Sequence, residues 1–114
     1  MANHRFKLIL TEEADKFIKG LPKAAAIKID GNIKRIQLGE RNAELFKKLE
    51  GSNIWEFRTL YNGIAYRLFA FWDREEETFV IATHGIIKKT QKTPAKEIAR
   101  AERIRKEYFE AKGV

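Results

Sequence analysis

The sequence predicts an α+β fold in which two N-terminal helices and a C-terminal helix pack against a small antiparallel β-sheet. Three observations support this. Apolar residues recur at helical spacing in the N-terminal third, branched and aromatic residues flank Asn62-Gly63, and a helical pattern returns after Pro94. The predicted order is β-α-α-β-β-β-α. At 114 residues the chain is long enough for one hydrophobic core, so we expect a single domain over residues 1–114.

The first strand and helix follow directly from local patterns. Phe6–Leu10 is a short apolar run that predicts an edge strand. Thr11 is placed to cap a helix, and the carboxylates of Glu12 and Glu13 suit the positive end of its dipole. Gly20 indicates the end of this helix.

The second helix is predicted to begin at Pro22, which suits a first helical turn, and to end at Gly39. Its buried stripe would consist of residues at three- and four-residue spacing: Ala25, Ile29, Ile33 and Ile36. The connector that follows, Arg41–Ser52, is predicted to pack Phe46 or Leu49 inward.

Three strands are predicted next, and the first two form a hairpin. Ile54–Tyr61 and Ile64–Trp72 meet at Asn62-Gly63, which favours a type I′ turn because both central residues need positive φ. A looser turn over residues 73–76 would lead into a third strand, Glu77–Gly85.

The hairpin turn also predicts the register of the strands. A two-residue loop pairs Tyr61 with Ile64 and sets Arg58 opposite Arg67 on one face. If the second loop has four residues, Ala65 pairs with His84, which would lie on the same face. A one-residue change in that loop would move His84 to the other face.

This clustering of cations predicts an anion site. Like charges opposite each other destabilise a sheet, and a bound anion would relieve the repulsion between Arg58 and Arg67. The basic segment after the third strand adds Lys88, Lys89 and Lys92, and Lys47 or Lys48 of the connector could point into a groove beside the sheet. Alternatively, Arg58 pairs with Glu56 or an acidic helix residue, and Arg67 flanks a solvated face.

The last helix is predicted to begin with Thr93 as its N-cap and Pro94 at its first position. Its apolar stripe would consist of Ile98, Ala101, Ile104 and Tyr108. We expect the N-terminal helices to cover one face of the sheet, and the face that carries the two arginines to be left open or partly covered by this last helix.

Composition narrows the classes of partner. A net charge of +7 and a pI near 9.7 favour nucleic acid or an acidic protein, although a lysine-rich surface kept for solubility is the alternative. The chain has no cysteine, and His4 and His84 are far apart, so we expect no metal site and no cofactor. The N-terminus has no long apolar run, so we expect a cytoplasmic protein.

Three motifs together resemble a known family. They are the strand WEFR, the YR of the next strand, and HGIIKKTQKTP leading into EIARA. The chain is similar to the RelE/ParE superfamily of bacterial toxins, in particular to its HigB-type, phage-derived branch. The resemblance implies a toxin of a type II toxin–antitoxin system that cuts mRNA on the ribosome, neutralised by an antitoxin that is often a helix-turn-helix DNA-binding protein.

The resemblance also assigns candidate roles. Metal-free RNA cleavage gathers negative charge on phosphoryl oxygens, which fixed cations stabilise. Arg67 matches the family's sheet arginine, and Arg58 is the second candidate for this role. Lys88, Lys89 and Lys92 would hold the RNA backbone, or one of them, with Lys89 the first candidate, would act as general acid. Lys48 is a further candidate for RNA binding. His84 is either an acid/base or a residue that fixes the turn.

Two other functions stay open from the sequence. A ParE-like protein would inhibit gyrase without being an enzyme, although the Lys88–Lys92 cluster has no purpose there. A basic RNA-binding module without toxicity is the other, although the aromatic residues, such as Trp55 and Tyr66, have core positions available and no stacking platform is evident.

Overall fold

The secondary structure follows the predicted order with one additional strand. The computed structural model describes residues 5–75, 78–89 and 92–113. Across these residues the elements are β1 (Lys7–Leu10), α1 (Glu12–Lys19), α2 (Lys23–Gln37), β2 (Phe46–Lys48), β3 (Trp55–Tyr61), β4 (Ile64–Asp73), β5 (Phe79–Lys88) and α3 (Ala95–Lys112). In this part of the chain, no helix is long and apolar enough to span a bilayer.

The α+β class is confirmed, but the sheet is mixed rather than wholly antiparallel. Its strand order is β1-β5-β4-β3-β2, and β1 pairs in parallel with β5 while the other neighbours are antiparallel. The edge position predicted for the first strand is correct. Its direction depends on a partner from the other end of the chain, which no local pattern shows.

The extra strand, β2, lies in the segment predicted to be a connector. Its three residues pair with β3, so that Phe46 faces Phe57 and Lys47 faces Glu56. A strand of three residues is too short for its sequence to show the alternation of apolar and polar side chains that would predict it. Phe46 is half-buried and Leu49 is buried, so both residues predicted as alternatives pack inward.

The first helix has the predicted boundaries, whereas α2 begins one residue after Pro22 and ends two residues before Gly39. Thr11 caps α1, because its hydroxyl accepts a hydrogen bond from the Ala14 amide at 3.2 Å. The predicted stripe of α2 is buried, and the core it forms with α1 covers one face of the sheet. We call this face the helix face.

The hairpin prediction is confirmed in its turn and its register. Asn62 and Gly63 both have positive φ, at 53° and 76°. Tyr61 pairs with Ile64, and Arg58 lies directly opposite Arg67.

The predicted register of the third strand is wrong. Ala65 pairs with Lys88 rather than with His84, and His84 pairs with Phe69 beside a bulge at Phe69/Ala70. The strand runs from Phe79 to Lys88, three residues beyond its predicted end, while residues 76 and 77 of the predicted turn and strand lie outside the described residues. The partner of Ala65 is thus shifted by four residues, from His84 to Lys88. Because side chains alternate between the faces of a strand, an even shift leaves His84 on the same face as Arg67.

The last helix begins one residue later than predicted. Pro94 occupies the cap position, and Thr93 makes no capping bond because its hydroxyl donates to the Glu56 carboxylate at 2.7 Å. The helix covers part of the sheet face opposite the helix face. It packs Ile98, Ala101, Tyr108 and Phe109 against a second core around Phe69 and Phe71.

Candidate functional site

The part of this face that α3 leaves uncovered carries a cluster of cations. A cavity of about 420 Å³, which we call the basic groove, is lined by Lys47, Leu49, Glu50, Glu56, Arg58, Lys88, Lys92, Thr93 and Ile98. Arg58 also lines a neighbouring cavity of about 490 Å³, which contains Arg67. The hairpin sets Arg58 opposite Arg67, as the sequence predicted, and the register of β5 brings Lys88 beside them.

Glu56 lies between the two arginines. Its Oε1 atom is 3.3 Å from Nε of Arg67 and 3.5 Å from Nε of Arg58, and its side chain is 2% exposed. The alternative considered for Arg58, a pairing with Glu56, is thus present. One carboxylate cannot neutralise two guanidinium groups and Lys88, so the groove retains a net positive charge.

Arg67 is held rigidly. It is buried, and its Nη1 group donates to the Tyr66 carbonyl at 3.1 Å. Burial lowers its pKa, the Glu56 charge raises it in part, and Arg58 lowers it further. A guanidinium remains charged despite such shifts, so the site presents a fixed cation.

The surroundings of Lys88 make its ammonium group more acidic. Burial, and then the charge of Arg67, lower its pKa from the usual value. It ends β5 on the same face as Arg67, whereas Lys89 is exposed just past the end of the strand. Of the lysines predicted to act in the site, Lys88 and Lys92 line the basic groove.

The segment predicted as a connector contributes Lys47, rather than Lys48, to the basic groove. Lys47 pairs with Glu56, whereas Lys48 pairs with Trp55 on the helix face. The prediction left both lysines open and chose Lys48 for RNA binding. Side chains alternate between the two faces of a strand. The strand β2, which the sequence did not reveal, therefore places Lys47 on the groove side and Lys48 on the helix face.

His84 lies beneath α3 rather than in the groove. Its side chain is 2% exposed, with Nδ1 3.0 Å from the Thr83 hydroxyl and Nε2 3.1 Å from the Glu97 carboxylate. A carboxylate only accepts, so Nε2 donates to Glu97, while Nδ1 lies beside the Thr83 hydroxyl, which donates to the Phe69 carbonyl at 3.4 Å. Burial and the charge of Arg100 lower the His84 pKa, although Glu97 opposes them. This arrangement joins β5 to the first turn of α3.

Two residues of the groove were missed in the predicted site. Glu56 was considered only as a partner of Arg58, although its spacing of two from Arg58 already indicated the same face. Thr93 was predicted to cap α3. Its hydrogen bond to Glu56 is a tertiary contact between the start of α3 and β3, which no local sequence pattern predicts. Within the described ranges, no group of acidic or histidine side chains is arranged to hold a metal ion.

The fold and groove thus define a small basic α+β protein with a cationic site on an open sheet face. Residues 16–106 match the family described as "Phage derived protein Gp49-like (DUF891)". The match spans most of the chain, and the protein belongs to this family. The phage-derived branch predicted from the motifs is thereby confirmed.

The fold is similar to a chain in the crystal structure of the intact E. coli RelBE toxin–antitoxin complex. The TM-score is 0.57 at 16% sequence identity, over 75% of this chain and 99% of that chain. This likeness confirms the RelE-like fold. A comparison with curated protein sequences finds no significant match.

Proposed function

We propose that this protein is the toxin of a type II toxin–antitoxin system and that it cleaves mRNA on the ribosome without a metal ion. The observation that carries the proposal is the pair of arginines, Arg58 and Arg67, fixed side by side by Glu56 next to Lys88. Membership of a phage-derived family and the RelE-like fold support it.

The cations suit a phosphate-centred reaction. The ribose 2′-hydroxyl would lose its proton to solvent as its oxygen attacks the adjacent phosphorus, and negative charge would develop on the phosphoryl oxygens. Arg67, assisted by Arg58, would stabilise this charge, since a fixed guanidinium offers several donors without reorganisation. Glu56 holds both guanidiniums beside one carboxylate by ion-pair contacts, although neither Nε atom makes a hydrogen bond among the described residues.

The leaving 5′-oxygen needs a proton as its bond to phosphorus breaks. Lys88 would supply it, because a lysine with a lowered pKa is a better acid near neutral pH. The products would be a 2′,3′-cyclic phosphate and a 5′-hydroxyl. Lys47 and Lys92 would hold the RNA backbone, and Lys89 would extend this contact outside the groove. Lys48, predicted to bind RNA, lies on the opposite face and is left out of this contact. His84 would position α3 rather than transfer a proton.

The partners follow from the same proposal. The substrate would be mRNA on the cytoplasmic ribosome, whose phosphates complement the basic groove. The matched E. coli structure is a toxin–antitoxin complex, and we propose that this protein too is neutralised by an antitoxin, of the helix-turn-helix DNA-binding kind.

The test is induction of the protein in cells, with growth and mRNA 5′ ends followed together. Arg67→Gln should abolish growth arrest and new translation-dependent mRNA ends. Arg103→Ala, at an exposed position on α3, should retain both. Because Arg67 is buried, its variant must first be shown by circular dichroism to fold; Lys88→Met gives a second, less buried test.

Other outcomes identify the alternatives. Arrest with intact mRNA and inhibition of supercoiling by purified protein would identify a gyrase inhibitor. Growth that is unaffected by soluble wild-type protein would exclude the toxin function and leave a basic binding domain.

A further inference from the structure

A second cavity lies on the helix face, away from the basic groove. It measures about 450 Å³, and its apolar walls are Phe6, Ile36, Phe46, Trp55 and Trp72. We call it the aromatic groove. Trp72 is five positions along β4 from Arg67, and its side chain belongs to the core of the helix face. The two grooves therefore occupy different faces of the sheet.

The walls of the aromatic groove are incompletely covered. Phe46, Trp55 and Trp72 are only half-buried, although large aromatic side chains gain most from full burial. The indole nitrogen of Trp72 is shielded from solvent and has no hydrogen-bond partner among the described residues. The groove thus offers apolar contact area, and its volume is within the range of about 300–1,000 Å³ common for binding sites.

Cations surround this apolar surface. Arg5 and Arg41 lie at its rim, and an adjoining cavity of about 250 Å³ shares Trp55 and Trp72 and adds Lys48, Arg74 and Arg105. Among the described residues that line the two cavities, Glu40 is the one acidic side chain, and it is engaged by Arg35 at 2.9 and 2.7 Å. The rim therefore carries an excess of positive charge.

The rings are poorly placed to stack on nucleic-acid bases. Phe46 stacks on Trp55 with ring centroids 4.8 Å apart, and the Arg74 guanidinium lies 4.3 Å from the centre of the Trp72 ring. Each indole therefore has one face occupied, and the two indoles meet edge-on at 80°. Base stacking needs open, accessible ring faces, whereas apolar side chains can pack against edges and remaining faces.

We propose that the aromatic groove binds an acidic segment of a protein partner. One or two large apolar side chains of that segment would fill the groove, and its carboxylates would face Arg5, Arg41 and the neighbouring cations. This inference goes beyond the proposed function and does not depend on RNA cleavage.

The test uses the protein's own fluorescence, because its two tryptophans are Trp55 and Trp72 and both line the groove. Peptides would be selected from a random display library on the wild-type protein, and the recovered peptides that lack tryptophan would be titrated against it. We expect acidic peptides with aromatic or branched anchors, whose binding shifts the tryptophan emission to shorter wavelength.

Variants assign the binding to this surface. Arg41→Glu reverses one rim charge, and Ala43→Phe fills the groove without removing a core side chain. Each should weaken peptide binding about tenfold or more. Arg103→Glu makes the same charge change at an exposed site on α3 and should leave binding unchanged, provided that circular dichroism shows all three variants to be folded.

The proposed docking site and the proposed nuclease function can be tested independently of each other. Arg67→Gln, which tests cleavage, should bind the peptides like the wild-type protein. Failure to recover any peptide that shifts the emission, or equal binding by Arg41→Glu and Ala43→Phe, would overturn the docking site. A single-stranded oligonucleotide that changes the emission in an Arg41-dependent way would also overturn it, because the groove would then bind nucleic acid.

Discussion

At the scale of single residues, the basic groove depends on how Glu56 holds two like charges. Arg58 and Arg67 face each other across the hairpin, an unfavourable pairing by itself. The carboxylate reaches both Nε atoms and also accepts from Thr93, which connects the sheet to the loop before α3. Glu56 thus stabilises the site and orients its cations.

Replacing Glu56 should therefore destabilise the protein. Glu56→Gln keeps the shape but leaves both guanidiniums without a counter-charge, and we expect a loss of about 1–3 kcal/mol in the free energy of unfolding by urea. Glu50→Gln makes the same change at an exposed position on the same groove and should cost little. Equal effects of the two changes would contradict the role given to Glu56.

Lys88 should titrate below the value of about 10.4 that is usual for lysine. Burial and the charge of Arg67 both disfavour its protonated form. An NMR titration of the Lys88 ammonium group would measure this, with Lys88→Arg to assign the signal. In Arg67→Gln the midpoint should move to higher pH, because one repelling charge is gone. An unchanged midpoint would show that Arg67 does not act on Lys88.

At the scale of elements, the approach of α1 to β5 depends on Gly85. A Cβ atom built at this position would overlap the ring of Phe17 on α1. The strand can therefore carry no side chain there without moving the helix. This contact is part of the core that positions the sheet beneath α1 and α2.

Two glycine substitutions should have opposite effects on stability. Gly85→Ala should lower the melting temperature, because the methyl group meets Phe17. Gly31→Ala, in the middle of α2 where nothing lies within 4 Å, should stabilise by about 0.5–1 kcal/mol through helix propensity. Thermal unfolding followed by circular dichroism measures both. An unchanged or higher melting temperature of Gly85→Ala would contradict the close contact.

The other end of the sheet fastens α3 through a buried carboxylate. Asp73 is 2% exposed and accepts hydrogen bonds from Tyr108 at 2.5 Å and Lys112 at 2.6 Å. Burial alone would raise the Asp73 pKa, but the bonds from Lys112 and Tyr108 outweigh it and the pKa is lowered.

The stability contributed by Asp73 should therefore depend on pH. It is complete above the unfolded pKa of about 3.9 and is lost as the pH falls through the lower folded value. Asp73→Asn should destabilise the protein clearly at pH 6 and much less at strongly acidic pH, as measured by urea unfolding. Asp30→Asn, which breaks an exposed ion pair with Lys34, should change stability little at either pH. A pH-independent effect of Asp73→Asn would contradict the assigned bonds.

At the scale of the whole molecule, the net charge of +7 should govern association with RNA. If about three cations of the basic groove contact phosphates, the logarithm of the association constant should fall with the logarithm of salt concentration at a slope of about −2. Fluorescence anisotropy with a labelled single-stranded RNA would measure the slope.

Paired lysine variants show which charges act. Lys88→Met should make the slope shallower by about 0.7, the contribution of one phosphate contact. Lys23→Met, at the exposed start of α2, removes the same charge away from the groove and should leave the slope nearly unchanged. Equal effects would mean that the RNA responds to overall charge rather than to the groove.

Local patterns in the sequence determined much of this protein. Helical spacing predicted the buried stripe of α2, Thr11 predicted the start of α1, and Asn62-Gly63 predicted the hairpin that sets Arg58 opposite Arg67. These features follow from residues close together in the chain, whose periodicity and turn geometry can be read directly.

Only the tertiary structure decided how distant segments meet. The register of β5, set by its turn and by the bulge beside Phe69, placed Lys88 rather than His84 next to the arginines, and β2 placed Lys47 in the basic groove. Trp55 and Trp72 are likewise only half-buried because of how α2, β2 and Phe6, just before β1, pack around them. Packing between elements sets the strand register across long loops and the exposure of each side chain. Such packing leaves no periodic pattern in the sequence from which it could be predicted.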